Sequence, residues 1–111
     1  MENNNKLFTD FLGSRVTTDT YFINGMYVAD KEENLKFDKD LNWIMEVVEK
    51  AELCFNGNID INILKNGTEI VNYSTKEVLF SNVADISFKK KIEHIYNAMV
   101  WFIKYYNEQN K

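Results

Sequence analysis

Few side chains in this sequence could carry out nucleophilic chemistry. Cys54 is the only cysteine and His94 the only histidine, so a thiolate–imidazole pair would require these two residues to meet in space. We expect Cys54 to point into the core and His94 to project near Trp101, and lone buried cysteines are usually inert. We therefore expect both residues to have structural roles and not to act as a nucleophile and its base.

The acidic residues of the middle segment are a second candidate for chemistry. Glu46, Glu49 and Glu52 recur along a predicted helix, and carboxylates at this spacing can share a metal ion or act as an acid–base pair. They progress around the polar side with Lys50 among them, so we expect a solvated face. The sequence also lacks a glycine-rich phosphate loop, an HExxH motif, paired CxxC motifs and a calcium-binding loop. We therefore expect no enzyme activity, no cofactor and no metal site.

Lys89, Lys90 and Lys91 form the only basic run. With His94, Trp101 and Tyr105 they could form a charged and aromatic strip that binds single-stranded nucleic acid, in which bases stack on rings and lysines neutralise phosphates. The net charge of −4 argues against a duplex-DNA binder that depends on phosphate neutralisation. A single-stranded nucleic-acid-binding accessory protein is therefore one hypothesis, and a solvated helix start is the simpler interpretation of the lysines.

Residues 87–111 have the pattern of one long helix with apolar residues on two sides. Trp101 and Tyr105 fall roughly opposite the stripe expected to face the core. Because large aromatic side chains anchor interfaces, we expect the surface of Trp101, Phe102 and Tyr105, with His94 beside it, to bind a partner or a second copy of the chain. The alternative is that the N-terminal helix or a hairpin covers this face within the monomer. The stripe expected to face the core contains Phe88, Ile92, Ile95, Tyr96, Met99, Ile103 and Tyr106.

A charged segment supplies a second set of candidate contacts. Asp30, Lys31, Glu32 and Glu33 precede the middle helix, and we expect this segment to be a loop or a short extra strand. Its charges could contact a partner protein.

The 111 residues fit a single domain. We expect a flexible tail over residues 1–5 and one α+β domain over residues 6–111. Its antiparallel sheet would consist of a hairpin and a three-stranded meander, with helices on one face and a long C-terminal helix. At Asn66-Gly67 a two-residue turn would place Ile63 opposite Ile70. The predicted helices cover 6–12, 40–53 and 87–111; the predicted strands cover 20–29, as a hairpin about Asn24-Gly25, and 59–63, 68–73 and 78–83.

The composition also bears on location. One cysteine cannot form an internal disulfide, and the N-terminus has no signal-peptide pattern. No apolar run approaches the ~20 residues needed to span a bilayer. We therefore expect a cytoplasmic protein that does not act on a membrane.

Three segments carry a resemblance to known proteins. NKLFTDFLG near the start, LNWIMEVVEKAE in the middle and KKIEHIYNAMVWFIKYYNEQ at the end resemble a group of small phage and prophage proteins. The resemblance spans most of the chain, and the segment 18–39 departs most from the group pattern. No established catalytic residues come with the group, so none is transferred.

The resemblance implies a function of a particular type. Small acidic phage proteins without catalytic motifs resemble, as a class, inhibitors of bacterial defence, including anti-CRISPR proteins that bind an RNA-guided nuclease effector. The expected function is a non-enzymatic phage accessory protein in the host bacterial cell, which inhibits such an effector or its guide-RNA loading. A homodimeric interaction module is a further alternative.

Overall fold

The computed structural model describes residues 4–13, 15–17, 20–23, 26–29 and 36–110. The fold is α+β, with a first antiparallel sheet formed by β1–β3 and a second formed by β4–β6. Within the described residues, no helix is both long and apolar enough to cross a membrane. The elements are α1 (Asn5–Phe11), β1 (Arg15–Thr17), β2 (Thr20–Ile23), β3 (Met26–Ala29), α2 (Leu41–Gly57), β4 (Ile59–Ile63), β5 (Thr68–Asn72), β6 (Val78–Ser81) and α3 (Lys91–Gln109).

The first sheet has one strand more than the predicted hairpin. Ile23 of β2 pairs with Met26 of β3, so two residues connect these strands, as expected. The connecting residues 24–25 lie outside the described residues. Strand β1 pairs antiparallel with β2 and was not expected, because three residues are too few to show an alternating pattern.

The second sheet is the predicted three-stranded meander. Ile70 on the central strand pairs with Ile61 of β4 and with Phe80 of β6. Residues paired directly across antiparallel strands share a face of the sheet, so these three side chains lie on the same side. That side packs against the helices, since Ile61 and Ile70 belong to the buried core.

The predicted register of this sheet is wrong by two residues. Ile63 pairs with Thr68 instead of Ile70, because the loop Leu64–Gly67 has four residues, and the Leu64 amide donates a hydrogen bond to the Gly67 carbonyl at 2.8 Å. A shift of two residues leaves every side chain on its original face. The apolar pattern is therefore satisfied by both registers and does not distinguish them.

The end of α1 and the start of α2 each coincide with a recognisable signal. Helix α1 stops before Gly13, whose φ of 74° is the left-handed conformation typical of the residue after a helix. It starts at Asn5, which was predicted to be part of the flexible tail. At the start of α2, the side chain of Asp40 accepts a hydrogen bond from the Asn42 amide at 2.9 Å, which satisfies one free helix N–H.

Helix α3 begins four residues later than its predicted start. Lys90 has an extended backbone, with φ −123° and ψ 146°, so Phe88 precedes the helix and does not belong to its apolar stripe. Glu93 accepts hydrogen bonds from the amides of Lys89 and Lys90 at 2.9 and 2.8 Å. These bonds hold the pKa of the Glu93 carboxyl below its usual range, with a smaller contribution from the two lysine charges. The carboxylate also offsets the lysines next to the positive end of the helix dipole.

One core joins the helices to the second sheet. Helix α2 packs against β4, α3 packs against β5 and β6, and α1 packs against α3. Both longer helices therefore lie on the inner face of this sheet. The buried apolar residues of this core are Phe8, Phe11, Leu12, Phe37, Ile44, Val47, Val48, Ala51, Ile59, Ile61, Ile70, Ile95, Ala98, Met99, Phe102 and Ile103.

Candidate functional site

The aromatic strip, which we define as Phe80, Trp101 and Tyr105, is a row of stacked rings along α3. The ring centroids of Phe80 and Trp101 are 5.0 Å apart with planes at 27°. Those of Trp101 and Tyr105 are also 5.0 Å apart, with planes at 11°. Both geometries are close to the stacked arrangement in which aromatic pairs attract one another.

Two elements position the aromatic strip. Phe80 is paired with Ile70 and so projects from the inner face of the sheet towards α3. Trp101 and Tyr105 are four residues apart, which places them one turn apart on the same face of the helix. The strip therefore fastens the edge strand β6 to α3.

The strip is a flank of α3 and not a second face opposite the core. Phe80, Trp101 and Tyr105 are half-buried, whereas Phe102, expected on the same exposed surface, is fully buried. The buried residues of α3 are His94, Ile95, Ala98, Met99, Phe102 and Ile103. The prediction rotated this buried sector by about a sixth of a turn on the helical wheel of ~100° per residue, and so placed Trp101 too far from the core.

His94 does not lie on a partner-binding surface, which corrects the prediction. Only 2% of the residue is exposed, and its Nδ1 shares a hydrogen bond of 2.8 Å with the Thr68 hydroxyl. Its Nε2 is buried without a hydrogen-bond partner. Burial lowers the pKa of His94, the backbone of Lys65 partly opposes this shift, and the charge of Lys91 adds to it. A neutral, enclosed imidazole cannot contact a docked protein.

The polar group next to His94 is a junction organised by Asn82. The Asn82 side chain accepts a hydrogen bond from the Thr68 amide at 2.7 Å. It donates to the His94 carbonyl at 2.9 Å and to the Asn97 side chain at 3.0 Å. Asn82 thus connects β5 to α3, and every one of these bonds maintains the fold. Nothing in the sequence marks this role, since Asn82 lies within the predicted strand 78–83 and the observed strand ends at Ser81.

The basic run is exposed at the start of α3. Lys89, Lys90 and Lys91 all lie at the surface, as a nucleic-acid contact would require. The rings expected to cooperate with them are less suitable, because Trp101 stacks with two other rings, Phe80 and Tyr105. Much of the ring surface on which a base would stack is already occupied.

The structure does not assemble a nucleophile around Cys54. Its thiol is half-buried and donates a 3.5 Å hydrogen bond to the Lys50 carbonyl. Burial raises the pKa of the thiol, and the nearby Lys50 charge only partly opposes this, which disfavours the reactive thiolate. His94 is bonded to Thr68 on β5. Cys54 and His94 are therefore engaged separately, and Cys54 is less buried than predicted.

The acidic residues of α2 are not grouped as metal ligands. Glu46 and Glu49 are exposed and Glu52 is half-buried. Among the described residues, no three histidine, cysteine or acidic side chains come together as a metal site would require. The predicted contacts Asp30, Lys31, Glu32 and Glu33 lie outside the described residues.

Comparison with known proteins gives no relationship: no protein-family model, curated protein or solved structure matches the chain.

Proposed function

We propose that the protein acts by binding a partner protein through the aromatic strip. The observation that carries the proposal is the arrangement of Phe80, Trp101 and Tyr105 as stacked, half-exposed rings on two rigid elements. Rings held by their neighbours lose little conformational entropy when a partner covers them. Tryptophan and tyrosine are also the residues that most often dominate binding energy at interfaces.

The proposed partner is a bacterial antiviral defence protein in the cytoplasm of the host cell. This part rests on the three segments that resemble small phage and prophage proteins, residues 5–13, 41–52 and 90–109. In the specific form of the proposal, the protein is an anti-CRISPR inhibitor of an RNA-guided nuclease effector or of its guide-RNA loading. Such inhibition needs a rigid surface and no catalytic group.

The competing function is binding of single-stranded nucleic acid at Lys89, Lys90 and Lys91. The exposure of all three ammonium groups favours it, and the occupied ring surfaces of Trp101 and Tyr105 speak against it. Nucleic-acid binding would weaken steeply with salt. Binding of an apolar protein surface to the strip would not.

The test is capture of partners from lysates of candidate bacterial hosts by the tagged chain and by matched variants. Trp101→Leu changes the strip, Tyr96→Leu changes an aromatic residue on the other flank of α3, and a triple lysine-to-alanine change at 89–91 removes the basic run. We expect a defence nuclease to be retained by the Tyr96→Leu and triple-lysine variants and lost with Trp101→Leu. Thermal melts of each variant show that a loss of capture is not unfolding.

Two results would contradict the proposal. If the Trp101→Leu variant retains the nuclease at the level of the unmodified chain, the strip is not the binding surface. If the chain retains only nucleic acid, and the triple-lysine variant or moderate salt removes it, the competing function is correct.

A further inference from the structure

A groove of about 630 Å³ lies at the C-terminal end of α2, beside the aromatic strip. Its walls come from the last turns of α2, the end of α1 and the end of α3. Leu12, Leu53, Phe55 and Tyr106 supply apolar surface, Glu46 and Glu49 supply two negative charges, and Lys50 supplies one positive charge.

Two large apolar side chains of the groove are exposed. Leu53 is 77% exposed and Phe55 is 36% exposed, and these two large apolar residues line the same groove. The Phe55 ring is held at the rim of the groove by edge contacts with Tyr105 and Tyr106, at centroid distances of 6.0 and 5.7 Å. Contiguous apolar surface of this kind marks places where another molecule docks.

The carboxylates of the groove are unpaired in the part of the chain that the structure describes. Lys50 is four residues after Glu46 and could form a helical ion pair with it. Its ammonium instead lies over the Phe11 ring, 5.6 Å from the centroid. Glu46 and Glu49 are exposed. The two carboxylates outnumber the one positive charge that lines the groove, that of Lys50, and are available to an incoming cation.

We propose that this groove binds a protein segment in which a lysine or arginine neighbours a large apolar side chain. The apolar side chain packs on Leu53 and Phe55, and the cation meets Glu46 and Glu49. Charge complementarity favours this occupant over the chain's own segment 30–35, which reads DKEENL and carries three acids against one lysine. The inference goes beyond the proposed function, because it concerns another surface and does not depend on what the strip binds.

The experiment selects binders from a displayed random dodecapeptide library on the immobilised full chain, and then measures the affinity of a selected synthetic peptide. We expect enriched peptides to carry a basic residue beside an apolar one. The double variant Glu46→Gln, Glu49→Gln should weaken binding roughly fivefold, and Leu53→Ser should weaken it about tenfold. A second double variant, Glu69→Gln with Glu77→Gln, removes the same charge from the second sheet and should leave affinity unchanged.

The inference is overturned if no peptide is enriched, if the enriched peptides lack basic residues, or if the two glutamine pairs weaken binding equally. It is also overturned if Trp101→Leu abolishes peptide binding while Glu46→Gln with Glu49→Gln does not, a result that would place the peptide on the strip and support the proposed function instead. Sedimentation of the chain alone tests a second copy as occupant: self-association removed by the Glu46→Gln, Glu49→Gln variant would replace the proposed partner with the chain itself.

Discussion

His94 shows how one buried side chain makes the stability of this protein depend on pH. Its imidazole is bonded to Thr68 through Nδ1, and its Nε2 is buried without a partner. Protonation would place a charge in a buried site, and Lys91 is near enough to repel that charge, while the backbone of Lys65 offsets only part of this cost. The folded protein therefore favours the neutral ring.

The pH dependence follows from the direction of this shift. The pKa of His94 is lower in the folded state than its ordinary value of 6.5, so the unfolded chain binds a proton that the folded chain rejects. The stability that comes from keeping His94 neutral is fully present above about pH 6.5, and it decreases as the pH is lowered below that value. Urea denaturation between about pH 7.5 and 5 should show a falling midpoint, while His94→Asn, whose amide can replace the bond to Thr68, should show a flatter profile.

The two carboxyls whose pKa values are lowered titrate below this pH window. The pKa values of Asp85, through its hydrogen bonds to Ser87, and of Glu93, through its bonds to backbone amides, are both lowered. The stabilising effect of these two carboxylates is present at any pH above their ordinary pKa values. It is lost only at a more acidic pH than the range in which His94 titrates. Equal slopes for the unmodified chain and His94→Asn above pH 5 would contradict the assignment of the effect to His94.

Gly67 lies where two backbone segments approach each other closely, and no larger residue fits there without movement. A Cβ atom at this position would lie 2.5 Å from the Val83 Cα and 2.9 Å from the Asn82 side-chain oxygen. Because the nearest atom is backbone, the β4–β5 loop or the segment after β6 must move. We expect Gly67→Ala to lower the free energy of unfolding by about 1–3 kcal/mol.

Urea denaturation measures the effect, with Asn66→Ala as the neighbouring control. Asn66 is exposed, and exposed substitutions usually change stability by less than about 0.5 kcal/mol. If both variants unfold at the same urea concentration, the contact between Gly67 and Val83 is not a constraint on the fold.

At the scale of elements, the end of α2 shows how the groove is shaped. Cys54 has ψ 157°, which ends the regular helix after Leu53, and Phe55 and Asn56 then have φ of 53° and 61°. Gly57 continues with φ 76°. Left-handed backbone is costly for residues other than glycine, and for phenylalanine more than for asparagine. The strained turn places the Phe55 ring against Tyr105 and Tyr106 at the rim of the groove.

A matched pair of substitutions tests this strain. Asn56→Gly and Asn56→Ala both remove the exposed side chain, but only glycine adopts positive φ without cost. We expect the alanine variant to be less stable than the glycine variant by roughly 1 kcal/mol, measured as the difference in free energy of unfolding. Equal stabilities would mean that the turn after Leu53 does not keep its left-handed conformation in solution.

Sequence patterns predicted the elements better than their orientation. The buried face of the middle helix can be predicted from its sequence. Its buried residues Ile44, Val47, Val48 and Ala51 recur with helical period, and few aromatic residues lie elsewhere on the helix. In α3 large side chains surround much of the circumference, so periodicity alone does not define the inward direction. The neighbours decide it: Phe80 of β6 stacks on Trp101 on one flank, and Phe8 of α1 contacts Tyr96 on the other, at 5.0 Å.

The same limit explains what was missed at the candidate site. The junction of Thr68, Asn82 and His94 joins residues up to 26 positions apart, and nothing in the local sequence marks three polar residues as partners. The groove likewise depends on α1, α2 and α3 meeting at one end. Local propensity and spacing describe elements, whereas sites of this kind are created by packing between elements.

For the whole molecule, the aromatic strip has two consequences that must be separated experimentally. It is the proposed binding surface, and it also fastens the second sheet to α3. A substitution in the strip can therefore reduce binding simply by loosening β6. The groove does not have this problem at Leu53, which is 77% exposed and contributes little buried area to the fold.

A double-mutant cycle measures how strongly the strip joins the two layers. We expect Phe80→Leu and Trp101→Leu to be non-additive, with a coupling free energy of about 0.5–1.5 kcal/mol, the value typical of stacked aromatic pairs. Tyr73→Leu is the control, since Tyr73 is exposed and its ring lies under the Lys76 ammonium instead of against α3. Its effect should add to that of Trp101→Leu within about 0.5 kcal/mol. Additivity in both cycles would mean that the sheet is held by the buried core alone, and binding losses in strip variants could then be attributed directly to the interface.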